Sequence, residues 1–533
     1  MRTIALLGVL LCAGAVSAAH VYIPFTNVLT ETGQDQGLWL ADSDHLGSPP
    51  IQVTDQLLDG PATFNLAVLH DWTLDPATRL ATRLTPRMAV YGVGGRLFKV
   101  DLQHAGPAEQ LTNGTYQELC SLLALDQRPF NESKAFVQAI VQPVGSPNTC
   151  ADNLGTVTWL IPASAGARTA AIVEPAFWNV LGAFTDPADG KFVEWLVWTG
   201  TEVAAYSDDF RSHRPILTGI PQGFGPVPML RIDSTFFLSA TVVSDAGSQT
   251  DTVFRVTPAS SSVVGNFTRA ASSFCNGSSL GSLPDRKTGK IVFTEPTDTG
   301  YALFTAPLSG GRATQIYADD SVFNCGSVAG DAISKGFAGV TVFEGLTGRE
   351  HAIGVNESGP VTQTPVHLAG DANSTADVHY TIDGHLWVDV LTLSPVRTRS
   401  TLVVDGDGTK VLSFAAGLSG DVVGGNAVSG DQSALQRERV YLFSAAPGHC
   451  AGGTLSLVNP ITFDSVAVDG LPADTCSVFA FGYPPASTGS VTTPGGSEPV
   501  QIDPATHRLH QLAEASFDGT FSNLEQILFY PFN

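Results

Sequence analysis

One device returns along the whole chain: two runs of alternating apolar and polar residues joined by a tight glycine turn. It is clearest in MAVYGVGGRLFKVD (88–101), where Gly94-Gly95 accepts the positive φ that a two-residue hairpin turn demands. FVEWLVWTGTEVAAY (192–206) turns at Thr199-Gly200, IVFTEPTDTGYALFTA (291–306) near Asp298-Thr299-Gly300, and VHYTIDGHLWVDV (378–390) at Asp383-Gly384. A further turn and a polar strand often follow, as in GLWLADSDHLGSPPIQVT from Gly37, GRLFKVDLQHAGPAEQLT from Gly95 and GYALFTAPLSGGRATQIY from Gly300. The unit is therefore strand, hairpin, strand, turn, strand.

Such units start near 37, 95, 155, 200, 251, 300, 346, 384, 440 and 500, a spacing of about 40 to 60 residues, the size of one blade. A lone small sheet has two apolar faces and is unstable, but sheets stacked in a closed ring bury both, so the reading is an all-β fold, a β-propeller of four-stranded blades. Dividing the chain by about 60 residues predicts seven or eight blades, with some of the starts counted as extra hairpins. The strand-like ends, HVYIPFTN from His20 and QILFYPFN from Gln526, are expected to share one blade and remove the open edge. The 54 glycines and 33 prolines against 15 Glu and 7 Lys disfavour long helices. Tandem β-sandwiches satisfy the same composition. The propeller is preferred because the spacing never breaks, and the stretch PPASTGSVTTPGGSEP from Pro484 reads as one long loop.

The segments beginning at Gly37 and Gly95, each with an aromatic strand, a short Gly/Pro turn and a Q-x-T ending, resemble the outer strands of TolB-like propeller repeats within the wider WD-repeat-like secreted propellers. The region from Cys120 to Cys150 also resembles exported propeller proteins with a cysteine couple there. The resemblance covers about half the chain, whose repeats are irregular in length and lack the Asp-rich turns of TolB. It implies a fold and a tendency to bind other molecules, and it carries over no catalytic residue.

The N-terminus has one Arg, an apolar run from Ile4 to Leu11 and small residues to Ala19, which reads as a signal peptide over 1–18 ahead of a single propeller over 19–533. No later apolar run is long enough to span a bilayer. An exported chain with six remaining cysteines is expected to form disulfides. Pairing neighbours gives Cys120 with Cys150, Cys275 with Cys325 and Cys450 with Cys476. Six of sixteen asparagines, Asn113, Asn131, Asn266, Asn276, Asn356 and Asn373, lie in glycosylation sequons. A formal charge of −23 with no basic stripe argues against a nucleic-acid partner.

Local chemistry is sparse. Gly277-SSLG fits G-x-S-x-G, but Ser279 would need a sharp strand-to-helix elbow that the flanking loop-like sequence does not offer. Cleavage after Ala19 would expose His20 and give the N-terminal histidine seen in copper monooxygenases, a likeness of a single residue. Asp405 with Asp407, and Asp42 with Asp44, have calcium-loop spacing without the remaining oxygen ligands, and turns explain both, so no cofactor is predicted and calcium alone is left open. His379 and His385 flank one hairpin, while His507 and His510 point to opposite faces of a strand. The adjacent pairs Asp208-Asp209 and Asp319-Asp320 point apart. Trp39, Trp159, Trp195, Trp198 and Trp387 are either sugar platforms or inter-blade packing, with one of Trp195 and Trp198 expected at the surface. These readings lead to a secreted, non-enzymatic binding or surface protein with an extracellular protein or glycan partner. Its rivals are a propeller enzyme acting on extracellular glycans, which needs carboxylates clustered by the fold, and a component of an extracellular coat or matrix.

Overall fold

In the computed structural model the chain forms ten small antiparallel sheets arranged as a β-propeller, which excludes tandem sandwiches. The described residues run from 22 to 522 apart from 29–36, 43–44, 46–47, 61–65, 75–80, 126–129, 153, 176–177, 187–190, 221–226, 233, 245–246, 271–274, 276–278, 281–288, 329–332, 383, 394–397, 416–420, 423–439, 446–449, 460–461, 480–486, 504–505 and 512–519. Blade one holds strands from 22–54 and borrows a fourth, Thr520–Ser522, which pairs with Tyr22–Val28. Blades two to ten span 66–110, 116–174, 179–218, 227–270, 279–319, 324–369, 374–415, 421–467 and 477–511.

The ends of the chain thus share one blade, but the closing strand lies at 520–522; the expected closing segment from Gln526 lies outside the described residues. The expected count of seven or eight blades is corrected to ten. From Leu66 to Ser477 eight repeats occupy 411 residues, roughly 51 each, so a divisor of 60 undercounts and all ten recurring hairpins are blades. The stretch from Pro484 is also corrected: Ser487–Thr493 and Gly496–Asp503 form the middle hairpin of blade ten. Its Ser, Thr and Gly residues are weak strand formers, and pairing within the sheet overrides that preference.

Hydrophobic cores lie between blades. On Phe192–Trp198, Trp195 and Val197 pack toward blade three while Leu196 and Trp198 pack toward blade five. Phe236 and Leu238 likewise face blade four while Phe237 faces blade six, and Leu386 and Val388 face blade seven while Trp387 faces blade nine. The two-residue period of a strand therefore feeds two cores from one central strand. This corrects the expectation for Trp195 and Trp198: they do point to opposite faces, yet both are buried because each face meets a neighbouring blade. Trp159 and Trp387 are buried as well, and Trp39 is half-buried.

Alternating strand directions give the ring two distinct faces. The upper face collects the starts of inner strands, the turns between second and third strands, and the connections between blades. All three disulfides, Cys120–Cys150, Cys275–Cys325 and Cys450–Cys476, join segments on this face. There the Gly94-Gly95 turn, with φ of 60° and 76°, is latched by Asp59, whose carboxylate accepts both glycine N–H groups and the Tyr116 hydroxyl. The lower face is held by lysines reaching to the next blade: Lys134 to Asp208, Lys290 to Glu357 and Lys335 to Asp405. Lys99 similarly donates to the Ala163 carbonyl and pairs with Glu132. Four of only seven lysines in the chain are spent as such staples. Among the described residues no helix is long and apolar enough to cross a membrane.

Candidate active site

On the upper face, the layer between blades seven and eight ends in carboxylates. Glu350 is the second residue of the third strand of blade seven, Arg349–Asn356, and shares its facing with Ala352, which sits in the core against blade eight. Asp377 lies near the start of the inner strand of blade eight, Ser374–Ile382. Its Oδ1 accepts the Thr341 hydroxyl at 2.7 Å, and the same hydroxyl oxygen accepts the Val378 N–H at 2.8 Å, so the carboxylate is oriented from blade seven. Asp389 stands directly opposite Asp377 across the strand pair and is buried. Desolvation and then the charge of Asp377 push the Glu350 carboxyl above its ordinary value.

The other side of blade seven carries a second polar group at the same height. Nδ1 of His351 lies 3.4 Å from Glu344, and the His351 and His367 rings are 6.2 Å apart. Burial drives the His351 imidazole toward its neutral form, against the pull of Glu344. Among the described residues no group of three or more His, Cys, Asp or Glu side chains is arranged to hold a metal ion. What the Glu350 layer offers is acid–base chemistry: one carboxyl that retains its proton more readily, beside another positioned to accept one.

The residues singled out by sequence go elsewhere. Ser279 lies on a two-residue inner strand paired with Thr294, where no strand-to-helix elbow exists, and the rest of its motif apart from Leu280 lies outside the described residues. Asp405 is taken by Lys335 Nζ at 2.5 Å and by His385 Nδ1 at 2.8 Å, while Asp407 accepts the Thr409 N–H within a turn. Asp42 pairs with His45. His20, Asp44 and the His379 side chain lie outside the described residues. His507 occupies a turn with φ of 54° and His510 the following strand. Asp208 holds Lys134, Asp209 caps a turn through Ser207 and Arg211, and Asp319 binds Ser321 and Asn324. Among the sequon asparagines, Asn113, Asn131, Asn266 and Asn373 are exposed, Asn356 is half-buried, and Asn276 lies outside the described residues. Glu350, Asp377 and Asp389 escaped sequence reasoning because nothing local marks them; aligning the chain blade by blade would have placed them at one face.

No protein-family model matches the sequence, and no curated protein is significantly similar to it. Solved structures that resemble it include the dihydro-heme d1 dehydrogenase NirN in complex with DHE, at 13% identity and a TM-score of 0.34, covering 75% of this chain and 74% of that one. A puromycin hydrolase matches at 11% identity and a TM-score of 0.30, over 93% of this chain and 54% of its own. Prolyl oligopeptidase B from Galerina marginata matches at 10% identity and a TM-score of 0.34, over 66% and 51%. The chain spans about half the length of these two hydrolases. These neighbours are propeller-type proteins, and TolB is not among them. Against the expectation of a non-enzymatic binding or surface protein, the neighbours reported are enzymes. The charge of Asp377 in blade eight acts on Glu350 in blade seven, a relation between blades that chain order does not mark.

Proposed function

We propose that the protein is a hydrolase whose acid–base pair is Glu350 and Asp377 on the upper face of blades seven and eight. The observation that carries this reading is the raised carboxyl of Glu350 beside an Asp377 held by Thr341. Glu350 donates a proton to the leaving group while Asp377 takes one from the attacking water; water adds, the scissile bond breaks, and the protons are redistributed between the two carboxyls. The apolar leader, the even set of cysteines and the exposed sequons support an exported, glycosylated chain with one propeller over 19–533. The TolB-like outer strands fit the same picture.

The test is turnover of a mixed peptide and oligosaccharide library, followed by mass spectrometry between about pH 4 and 8. Cleavage that weakens as pH rises through the Glu350 titration, and that Glu350→Gln and Asp377→Asn each reduce by at least about 100-fold, is the expected result. Turnover unchanged in Glu350→Gln, or no turnover at any pH, overturns it.

A further inference from the structure

On the lower face, opposite the Glu350 pair, one histidine is oriented at one ring nitrogen and open at the other. His385 begins the second strand of blade eight, His385–Thr392, and shares its facing with Trp387, which packs toward blade nine. Its Nδ1 lies 2.8 Å from Oδ1 of Asp405, the residue that follows the third strand of the same blade, Thr398–Val404. Among the described residues nothing bonds Nε2, and the side chain is 24% exposed. The pairs His45–Asp42 and His104–Asp101 form between residues three apart, with their rings on open surface. The His385 pair is built differently. The Asp405 side chain is 2% exposed and is held from blade seven: Lys335 Nζ donates to Oδ2 at 2.5 Å, and the Ser334 hydroxyl lies 3.4 Å from Oδ1 while donating to the Gly384 carbonyl at 2.6 Å. Burial acts to raise the Asp405 carboxyl, and the bonds from Lys335 and His385 outweigh it, so the group stays ionised. An ionised carboxylate on Nδ1 fixes the imidazole proton there and leaves the lone pair on Nε2 as a base.

The surroundings identify the substrate. Lys335 cancels the charge of Asp405, and Asp407 is exposed and accepts the Thr409 N–H, so the dyad favours an uncharged molecule. Half-buried Phe463, from the blade-nine turn, places its ring 6.2 Å from the His385 ring and offers an apolar wall. The dyad brings a base without a second acid. That suits an acyl compound whose leaving group departs without one, an ester.

We infer that His385 and Asp405 form a second catalytic site, a general-base site that hydrolyses uncharged esters whose apolar group lies against Phe463. Water passes a proton to Nε2 as its oxygen adds to the ester carbonyl carbon. The tetrahedral oxyanion then re-forms the carbonyl, the C–O bond to the alcohol breaks, and the alkoxide takes the proton back from Nε2. One acid and one alcohol leave, and the imidazole is regenerated. His385 is the catalytic residue and Asp405 the positioning residue; neither role rests on the Glu350 reading. The probe is p-nitrophenyl butyrate, with p-nitrophenol release by the full protein followed chromatographically between about pH 5 and 8, net of the buffer rate. Turnover should rise with pH to a plateau, because a base acts only when deprotonated, the opposite of the trend set by Glu350. His385→Gln should cost at least about 100-fold, and His104→Gln should leave turnover unchanged. Phe463→Ala should raise KM with kcat kept. Asp405→Asn, assayed where it remains folded, should lower kcat at least about 10-fold with KM kept, a split that mere loosening of the turn does not produce. If His385→Gln does not fold, diethyl pyrocarbonate on the wild-type protein gives the same answer: activity should fall in step with modification of His385 in the peptide map, not with that of His104. Equal turnover in His385→Gln, turnover that falls as pH rises, or activity that survives full modification of His385 overturns the site. Absence of release above the buffer rate also overturns it, and leaves the Glu350 reading to the peptide and oligosaccharide library.

Discussion

The layer between blades five and six contains an ion pair whose removal has a calculable consequence. Thr241, Asp251 and Arg269 lie near the upper ends of three adjacent strands of blade five. The Arg269 Nη1 donates to Asp251 Oδ2 at 2.9 Å, and the Thr241 hydroxyl donates to Oδ1 at 2.5 Å. The two charged side chains are only 2% and 1% exposed, and Arg269 Nε and Nη2 are buried without a partner. Breaking a buried pair from one side costs about 3–5 kcal/mol, because the survivor keeps its desolvation penalty and loses its counterion. Arg269→Met should therefore destabilise by about that much, and more than an exposed pair such as His104–Asp101, whose loss is worth at most about 1 kcal/mol.

Removing both charges reverses the sign. The native pair already bears two unmet guanidinium donors, each costing roughly 1–3 kcal/mol. Arg269→Met with Asp251→Leu, and Thr241→Val to avoid orphaning the hydroxyl, should recover most of the loss and reach or exceed wild-type stability by up to about 4 kcal/mol. Urea unfolding of the single, double and triple variants measures this. Hydrogen exchange at Phe237 and Val253, which pack in the same inter-blade core, separates local opening of blade five from global unfolding. A single Arg269→Met variant with an unchanged midpoint would refute the reasoning, since it would mean that the pair is hydrated.

Other outcomes follow from the same structure. Trp387→Ala empties the core between blades eight and nine and should cost about 3–5 kcal/mol by denaturant midpoint, with enhanced exchange on both blades. A Cβ on Gly354 would clash with the Gly406 carbonyl oxygen, so Gly354→Ala should prevent normal folding, whereas Gly166→Ala meets nothing within 4 Å and should leave the melting temperature nearly unchanged. Burial acts to raise the Asp405 carboxyl, but hydrogen bonds from Lys335 and His385 prevail and hold it low. A carboxyl lowered in the fold contributes stability above its ordinary value and loses it as pH falls through the folded value. Asp405→Asn should thus lower the urea midpoint at neutral pH, with the gap closing below the ordinary aspartate range. Glu350 has the opposite sign: its raised carboxyl favours the fold while protonated and loses that contribution as pH rises through the folded value, so Glu350→Gln should gain relative stability toward neutral pH.

What could be read from sequence was whatever depends on neighbours along the chain. Gly94-Gly95 demanded a hairpin because positive φ is a local property, and the structure has Ala81–Val93 paired with Arg96–Asp101 across it. Neighbouring cysteines could be paired because blades are consecutive, so a bond between adjacent blades is also a short bond in sequence. Blade number failed for a related reason: the signal was present ten times, and an assumed repeat length overrode the count. Trp195 and Trp198 show the next limit. Parity fixes which way a side chain points, but whether water or another sheet lies there is decided by ring closure, which no local window contains. Glu350 and Asp377 lie beyond that limit again. Each sits among ordinary strand residues, and the pair exists only because the third strand of one blade and the inner strand of the next end at the same face. In a fold of repeated sheets, core residues betray themselves by periodicity, whereas a site assembled across blades has no period. Its residues are found by asking which polar groups cap an otherwise apolar inter-blade layer, and in this chain that question leads to Asp251 with Arg269, to Glu344 with His351, and to Glu350 with Asp377.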